Sequence, residues 1–412
     1  MSLLPVDEAR ARILADIDPI GDTEQVPLAT AIGRRLAQDV TAIRSQPPFP
    51  ASAMDGYAVR SVDTVTPPRD LEIIGEAPAG HGFSGTVGPG QAVRIFTGAP
   101  VPEGADAIII QEDTERLDDR TVKIGVEVPS GNYVRPEGLD FARGDVVLRA
   151  GQLLDAGRIT VAAAMNFPRL PVKRRPHVAI LATGDELVAP GGEPGMDQII
   201  ASNGFGVRSI AEADGATVTD LGIAEDRQDV IETAIERAIA EKADILVTLG
   251  GASVGKHDLV QSALIARGMA LDFWRIAMRP GKPLMYGKLG ALHVLGLPGN
   301  PVSSLVCSHL FLRPLIARLS GASEADPHRE AVFGRNVGKN DRRQDYLRAK
   351  LERLADGTLV ATPFEKQDSS MTRIFAESDC LVIRAPHAQA AKAGDKCRIF
   401  LLREPALRAS CD

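Results

Sequence analysis

The chain has 412 residues, of which 44% are hydrophobic and 25% charged, a balance that excludes a disordered protein and supplies core material for about three domains. Its 47 basic and 54 acidic residues leave a formal charge of -7, so a global basic footprint for nucleic acid is absent and an anionic ligand needs a local pocket. No continuous apolar run reaches membrane-spanning length, and Asp7 and Glu8 interrupt the place of a signal-peptide core, so neither a membrane nor a nucleic-acid partner is expected and the location is read as cytoplasmic.

From the N-terminus, Val6, Ala9, Ile13, Leu14 and Ile17 share one helical face. A proline loop, Pro47-Pro48-Phe49-Pro50, precedes a series of short strands over 57–148 separated by Gly and Pro turns, with no good helix between them. That spacing predicts an all-β module. A second helix over 152–165 is expected to rejoin the first, which would make the β module an insertion. At about residue 176 the pattern changes. HVAILATG, ATVTDLG, DILVTLGG, FWRIAM and LHVLGLPG read as strands; SNGFGVRSIAEADG, DRQDVIETAIERAIAEK and the run begun by Pro301 read as helices. Their alternation predicts a mostly parallel sheet covered on both faces. After about residue 325 the β pattern resumes. The four cysteines, Cys307, Cys380, Cys397 and Cys411, form no C-x-x-C pair, so no zinc site or disulfide framework is supported.

In an open parallel sheet, ligands bind at the carboxyl ends of the strands. Three glycine-bearing loops fall there: Thr183-Gly184-Asp185-Glu186, Gly250-Gly251-Ala252-Ser253-Val254-Gly255 and Leu297-Pro298-Gly299-Asn300-Pro301. Glycine admits a phosphate to the backbone, and a following helix N-terminus donates N–H groups. The middle loop continues to Lys256 as G-x-x-x-x-G-K, but His257 stands where a P-loop needs Ser or Thr for magnesium. Glu186, Asp226 and Asp258, with Asp185, are hard oxygen donors suited to Mg²⁺. Capping is the other reading, with Asp226 as an N-cap and Asp258 in a first helical turn. Arg275 and Arg279, two apart in strand period, are expected on one strand face with Lys282 after the Pro-Gly turn. Arginine forks suit a tetrahedral oxyanion, and a charged edge strand is the alternative. Asp55 in AMDGY and Thr97 in FTGAP read locally as turns. These residues reach a phosphate- or nucleotide-binding α/β domain using magnesium, and they do not name a substrate.

The strings PPFPASAMDGYAV (47–59), RIFTGAPVPEGADAI (94–108), VRPEGLDFARGDVVL (134–148), ILATGDEL (180–187), TLGGASVGKHD (248–258), MRPGKPLMYGKL (278–289) and GLPGNPVSSLV (296–306) together resemble the molybdopterin molybdenumtransferases, the MoeA-type molybdenum insertases related to the gephyrin E domain. The resemblance runs in order along nearly the whole chain. It implies a multidomain α/β plus β fold. An extended, helical N-terminal domain used for dimerisation is formed by 1–46 and 142–174. A β-rich inserted domain spans 47–141, a central parallel molybdopterin-binding α/β domain 175–324, and a small C-terminal β-barrel-like domain 325–412. It further implies a homodimer with its cleft between subunits and transient contact with other cofactor-biosynthesis or molybdoenzyme-maturation proteins. The implied reaction is Mg²⁺-dependent: molybdate and adenylylated molybdopterin are the substrates, molybdenum enters the dithiolene and AMP leaves.

Carried over by motif, Asp55, Asp140 and Thr97 face the cleft from the inserted domain. Glu186, Asp226 and Asp258 handle the adenylylated pterin and magnesium. Thr183, Gly184, Gly250, Gly251, Ser253 and Gly255 cradle the substrate, and Pro298, Gly299, Asn300 and Pro301 shape the pterin pocket. Arg275, Arg279, Lys282, Arg348 and Ser369 attend phosphate or molybdate. The chain departs from the family in carrying arginine at 275 and 279, where lysine is frequent, and Asp368 where the family often has glycine. Alternatives are the related adenylyltransferase, which shares only the α/β domain, a gephyrin-like scaffold, and a P-loop NTPase.

Overall fold

The structure is a computed structural model and describes residues 3–251, 259–322 and 326–404. It divides into two compact units, Met1–Asp22 with Lys173–Asp412, and Thr23–Val172.

In the second unit the strands Ala107–Ile110, Gly56–Val59, Gln91–Ile95, Arg69–Ala77, Thr121–Ile124 and Thr114–Arg116 lie side by side in that order. The period-2 alternation divides their apolar side chains between two cores. Tyr57, Val59 and Ile109 enter one, with Leu71 and Val122; Ala58, Val93 and Ile108 enter the other. The flanking segments build a separate core from Leu36, Phe141, Leu148, Leu154, Ala162 and Met165. There the helix Ala156–Ala164 starts at Asp155, whose carboxylate accepts the Arg158 N–H at 2.9 Å.

The first helix, Val6–Leu14, which was expected to rejoin the second, belongs instead to the other compact unit from Ala156–Ala164. Val6, Ala9 and Ile13 pack into the α/β core with Ile180, Leu284 and Phe311. An apolar helical stripe specifies that it must be covered and leaves open by what; here it covers a sheet that needs both faces buried.

That sheet has the order Thr217–Ala224, His177–Thr183, Ile245–Leu249, Leu292–Leu297, Met285–Leu289, Ala270–Phe273. The first four strands are parallel, and Met285–Leu289 pairs antiparallel with both of its neighbours, so the sheet is mixed. Ile245–Leu249 and Leu292–Leu297 are buried at every position, which explains their unbroken apolar sequence. The chain leaves His177–Thr183 for one neighbour and later returns to the other, so a topological switch lies at the carboxyl end of this strand.

The helical run Pro301–Leu319 is long and apolar enough to span a membrane by length and composition, with a mean hydropathy of 1.3, and 72% of that window is buried inside the protein. His309 and Arg313 hide it from a search for continuous apolar residues. It is the core helix of the α/β domain, lined by Val306, Phe311, Leu315 and Ile316.

The C-terminal strands His328–Phe333, Gln344–Arg353, Leu359–Pro363, Cys380–Arg384 and Lys396–Leu401 close on themselves, because Cys380–Arg384 pairs with both Lys396–Leu401 and Gln344–Arg353. Met278–Arg279 joins this small barrel, with Met278 opposite Gln344 and Arg279 opposite Asp345 in a parallel pair. Cys307, Cys380 and Cys397 are free thiols; Cys411 lies outside the described residues.

Candidate active site

A cleft of about 430 Å³ opens at the switch point, lined by Thr183, Glu186, Gly250, Gly251 and the segment Pro298–Pro301. Its size is that of a small-molecule site. Two loops approach so closely that a side chain at Gly250 (φ +96) would meet the Thr183 carbonyl at 2.8 Å. The Thr183 hydroxyl is buried beside this turn and has no hydrogen-bond partner among the described residues. A buried hydroxyl so placed is an open donor and acceptor. Ile199, Ile200, Ser202 and Asn203 also line the cleft, and Asn203 Nδ2 donates to the Gly299 carbonyl at 2.6 Å. None of these four was singled out by motif; their segment becomes a wall only when Ile199–Ile200 pairs with Leu187–Val188.

At one side sit three carboxylates. The turn after His177–Thr183 is tied to the neighbouring strand by Gly184 N–H to Ala224 O (3.2 Å) and by Asp226 N–H to Asp185 Oδ1 (2.9 Å). Gly184 (φ +144) lets the Glu186 side chain fold back, since a Cβ there would lie 2.3 Å from Glu186 Oε2. Burial raises the Asp226 pKa, and the charges of Asp185 and Glu186 raise it further. Asp226 does not cap the next helix; Arg227 holds the N-cap position, without a side-chain capping bond. Among the described residues no three His, Cys, Asp or Glu groups form a metal cage. Mg²⁺ takes one or two protein carboxylates and keeps its waters, and the neighbouring carboxylates of Glu186 and Asp226 fit that requirement. Ser253, Gly255 and Asp258, with Lys256 and His257, lie outside the described residues.

The cations fall differently from the strand-face expectation. Trp274–Ala277 are not in a strand, so Arg275 and Arg279 do not share a strand face. Arg275 is exposed and stacks on Trp274, 4.8 Å from the ring centroid. Arg279 Nε donates to Asp345 Oδ1 at 2.6 Å, its Nη2 to the other Asp345 oxygen, and Nη1 to Asp341 at 3.4 Å. Its fork is already engaged by carboxylates. Lys282 is half-buried, and its carbonyl accepts the Ile276 N–H at 3.0 Å.

The barrel supplies a different cation. Arg348 is 1% exposed; burial lowers its pKa to about 10, against the raising effect of Asp345 and Asp368. Its Nη2 donates to the Asp368 carbonyl at 3.3 Å, while Nε has no partner among the described residues. Next in sequence, Ser369 Oγ accepts from Asn300 Nδ2 at 2.9 Å, and Ser369 O accepts the Val302 N–H at 3.1 Å. The Asp368 carboxylate accepts from the Ser370 amide (2.8 Å) and hydroxyl (2.6 Å).

In the other unit, Asp55 Oδ1 accepts from both the Thr97 amide (2.7 Å) and hydroxyl (2.8 Å). These bonds, foremost the amide, lower the Asp55 pKa, helped by the charge of Arg94. Arg94, which opens the RIFTGAP string but was given no role there, lies over Tyr57 (5.0 Å) and Phe96 (5.1 Å) and donates to Gln111 Oε1 at 2.7 Å. Asp140 is exposed, its amide donating to Gln46 O at 2.9 Å. Thr97→Val removes the hydroxyl donor and keeps the amide, so the Asp55 carboxyl should titrate at higher pH, still below the ordinary carboxylate range. Carbon-detected NMR of the side-chain carboxyl checks this; an unmoved titration rejects the assignment of the bond.

Residues 4–166 match the family described as MoeA N-terminal region (domain I and II), 179–318 the probable molybdopterin binding domain, and 330–402 the MoeA C-terminal region (domain IV). The chain is 35% identical over 400 residues to the molybdopterin molybdenumtransferase of Haemophilus influenzae, covering 96% of this chain and 98% of that one. The chain belongs to the molybdopterin molybdenumtransferase family. The members are transferases of molybdenum cofactor biosynthesis. The relative of the same name from Bacillus subtilis is 33% identical over 413 residues, covering 97% of this chain and 94% of its own. The crystal structure of a molybdopterin biosynthesis MoeA protein from Pyrococcus horikosii superposes with a TM-score of 0.82 at 29% identity, covering 97% of this chain and 99% of that chain.

Proposed function

We propose that this chain inserts molybdenum into adenylylated molybdopterin, consuming molybdate and releasing AMP with the help of Mg²⁺. The observation that carries the reading is the 2.9 Å bond from Asn300 to Ser369. It joins the rim of the cleft to the segment that holds a buried arginine with an unpaired N–H. A ligand in the cleft therefore lies beside a cationic, hydroxyl-bearing site, which is what a tetrahedral dianion requires.

In this reading Gly250 and Gly251, with Ser253 and Gly255, admit the phosphates, and Thr183 donates its open hydroxyl. Pro298, Gly299 and Pro301 bound the pterin. Glu186 and Asp226, with Asp258, hold Mg²⁺, which when bound supplies Lewis-acid polarisation of a phosphoryl oxygen. Arg348 and Ser369 orient molybdate. Arg279, its fork paired with Asp345, contributes field and position; Arg275 and Lys282 raise the local positive potential. The chain acts as a cytoplasmic homodimer in which a second copy's inserted domain contributes Asp55, Thr97 and Asp140, with transient contacts to other cofactor-maturation proteins.

Purified protein is incubated with adenylylated molybdopterin and Mg²⁺, with and without molybdate, while AMP and active cofactor are measured. Molybdate-dependent AMP release with cofactor formation is expected. Pterin binding without either product would overturn the reading.

A further inference from the structure

We infer that Gln367 is a positioning residue for the oxyanion site, holding Arg348 in place by acting as a substitute strand. This rests on the proposed role of Arg348. Within the barrel, Gln344–Arg353 pairs with Leu359–Pro363 up to the pair Ala349 and Pro363. Beyond it the neighbouring strand ends and Phe364 N–H reaches the Arg348 carbonyl at 3.0 Å. The Arg348 amide faces the same side and would lose its ladder partner there. The Gln367 side-chain amide takes the vacant place. Its Oε1 accepts the Arg348 N–H at 2.9 Å, and its Nε2 donates to the carbonyls of Arg348 (3.0 Å) and Phe364 (2.9 Å). A primary amide carries the donor and acceptor of a peptide group, so it can close both ends of this gap.

The following two residues extend the grip. The Asp368 carbonyl accepts from Arg348 Nη2, and Ser369 accepts from Asn300 at the cleft. Residues 367 to 369 thus hold the Arg348 backbone, its guanidinium and the cleft rim in turn. The guanidinium N–H that is buried and unpaired among the described residues, Nε, is the donor a bound oxyanion would receive. Burial of such a donor carries a desolvation cost, and holding it at a set position is what makes it useful to a ligand. The Asp368 carboxylate, taken up by Ser370, does not turn onto that donor.

The test uses inorganic molybdate binding by titration calorimetry on the full chain, with steady-state AMP release as a second readout. Gln367→Met keeps the volume and removes all three bonds. We expect molybdate affinity to fall about tenfold, from losing the positioning of one charged donor, and the KM for molybdate to rise with little change in kcat. Pterin affinity and the thermal unfolding midpoint should stay near wild type. Gln367→Glu keeps the acceptor for the Arg348 amide and loses the donors; its KM for molybdate should lie between the two. Arg348→Met calibrates the series. If Arg348→Met weakens molybdate and both Gln367 variants bind it as wild type, the inference fails and the proposed function stands. If Arg348→Met leaves molybdate binding unchanged, the reading of Arg348 fails and the inference with it. A Gln367→Met variant that loses stability and pterin binding as much as molybdate binding shows a purely structural role and also overturns it.

Discussion

Asp226→Asn is expected to lower molybdate-dependent AMP release about a hundredfold or more, the loss typical of removing one preorganised electrostatic contact, while making the metal-free protein more resistant to heat at neutral pH. The two effects have one cause. Burial, with Asp185 and Glu186 beside it, raises the pKa of this carboxyl in the folded chain. A group whose folded pKa lies above its unfolded value stabilises the fold fully at pH below the unfolded pKa, and that contribution is lost as pH rises through the folded pKa. Above its raised folded pKa the Asp226 carboxylate is a charge that the fold disfavours, and asparagine relieves that repulsion. Added Mg²⁺ should stabilise the wild type through binding to the native state and the variant much less. Melting curves at pH 7 with EDTA and with Mg²⁺ give the comparison. Equal melting of both proteins in EDTA and an equal gain from Mg²⁺ would remove Asp226 from the magnesium assignment.

Asp345→Ala is expected to destabilise the barrel by about 2–3 kcal/mol. Asp345 is 3% exposed and accepts two donors from Arg279. Its charge also supports the buried Arg348. Removing one partner of a buried ion pair costs about 3–5 kcal/mol. Here the Arg279 side chain is 46% exposed and regains water, which reduces the loss. Asp345→Asn keeps a hydrogen-bond acceptor and should cost roughly half as much. Urea unfolding followed by a probe in the barrel measures this, since a chain of several domains need not unfold in one step. A change below about 0.5 kcal/mol, the scale of ordinary surface substitutions, would show that the pair contributes nothing net.

The Arg279–Asp345 pair also marks where reading the chain reached its end. The two are 66 residues apart, and neither local motif names the other. They meet because, after Ala270–Phe273 of the α/β sheet, Met278–Arg279 pairs with Gln344 and Asp345 of the barrel. By that register Arg279, read as part of an oxyanion clamp, is also paired with a carboxylate of the barrel. Gln367 was invisible for a similar reason: its amide matters only because Leu359–Pro363 stops one residue short of Arg348. The first helix shows the same limit, since its stripe of Val6, Ala9 and Ile13 was legible and its destination was not.

The glycine loops behaved otherwise. Gly184, Gly250 and the segment Pro298–Pro301 could be placed at the carboxyl ends of strands before any coordinates, and all three line one cleft or its edge. Buried parallel strands are written as unbroken apolar runs, and their loops inherit positions from the sheet. The sequence by itself determined most of the strands and helices, the loops that meet at the switch point and the family. Only the tertiary structure decided which cation is buried with an open donor, which is already paired, and which side chain completes a broken strand. Periodicity and turn chemistry are local properties of the chain, whereas register between distant segments and the desolvation of a particular charge exist only after those segments have packed.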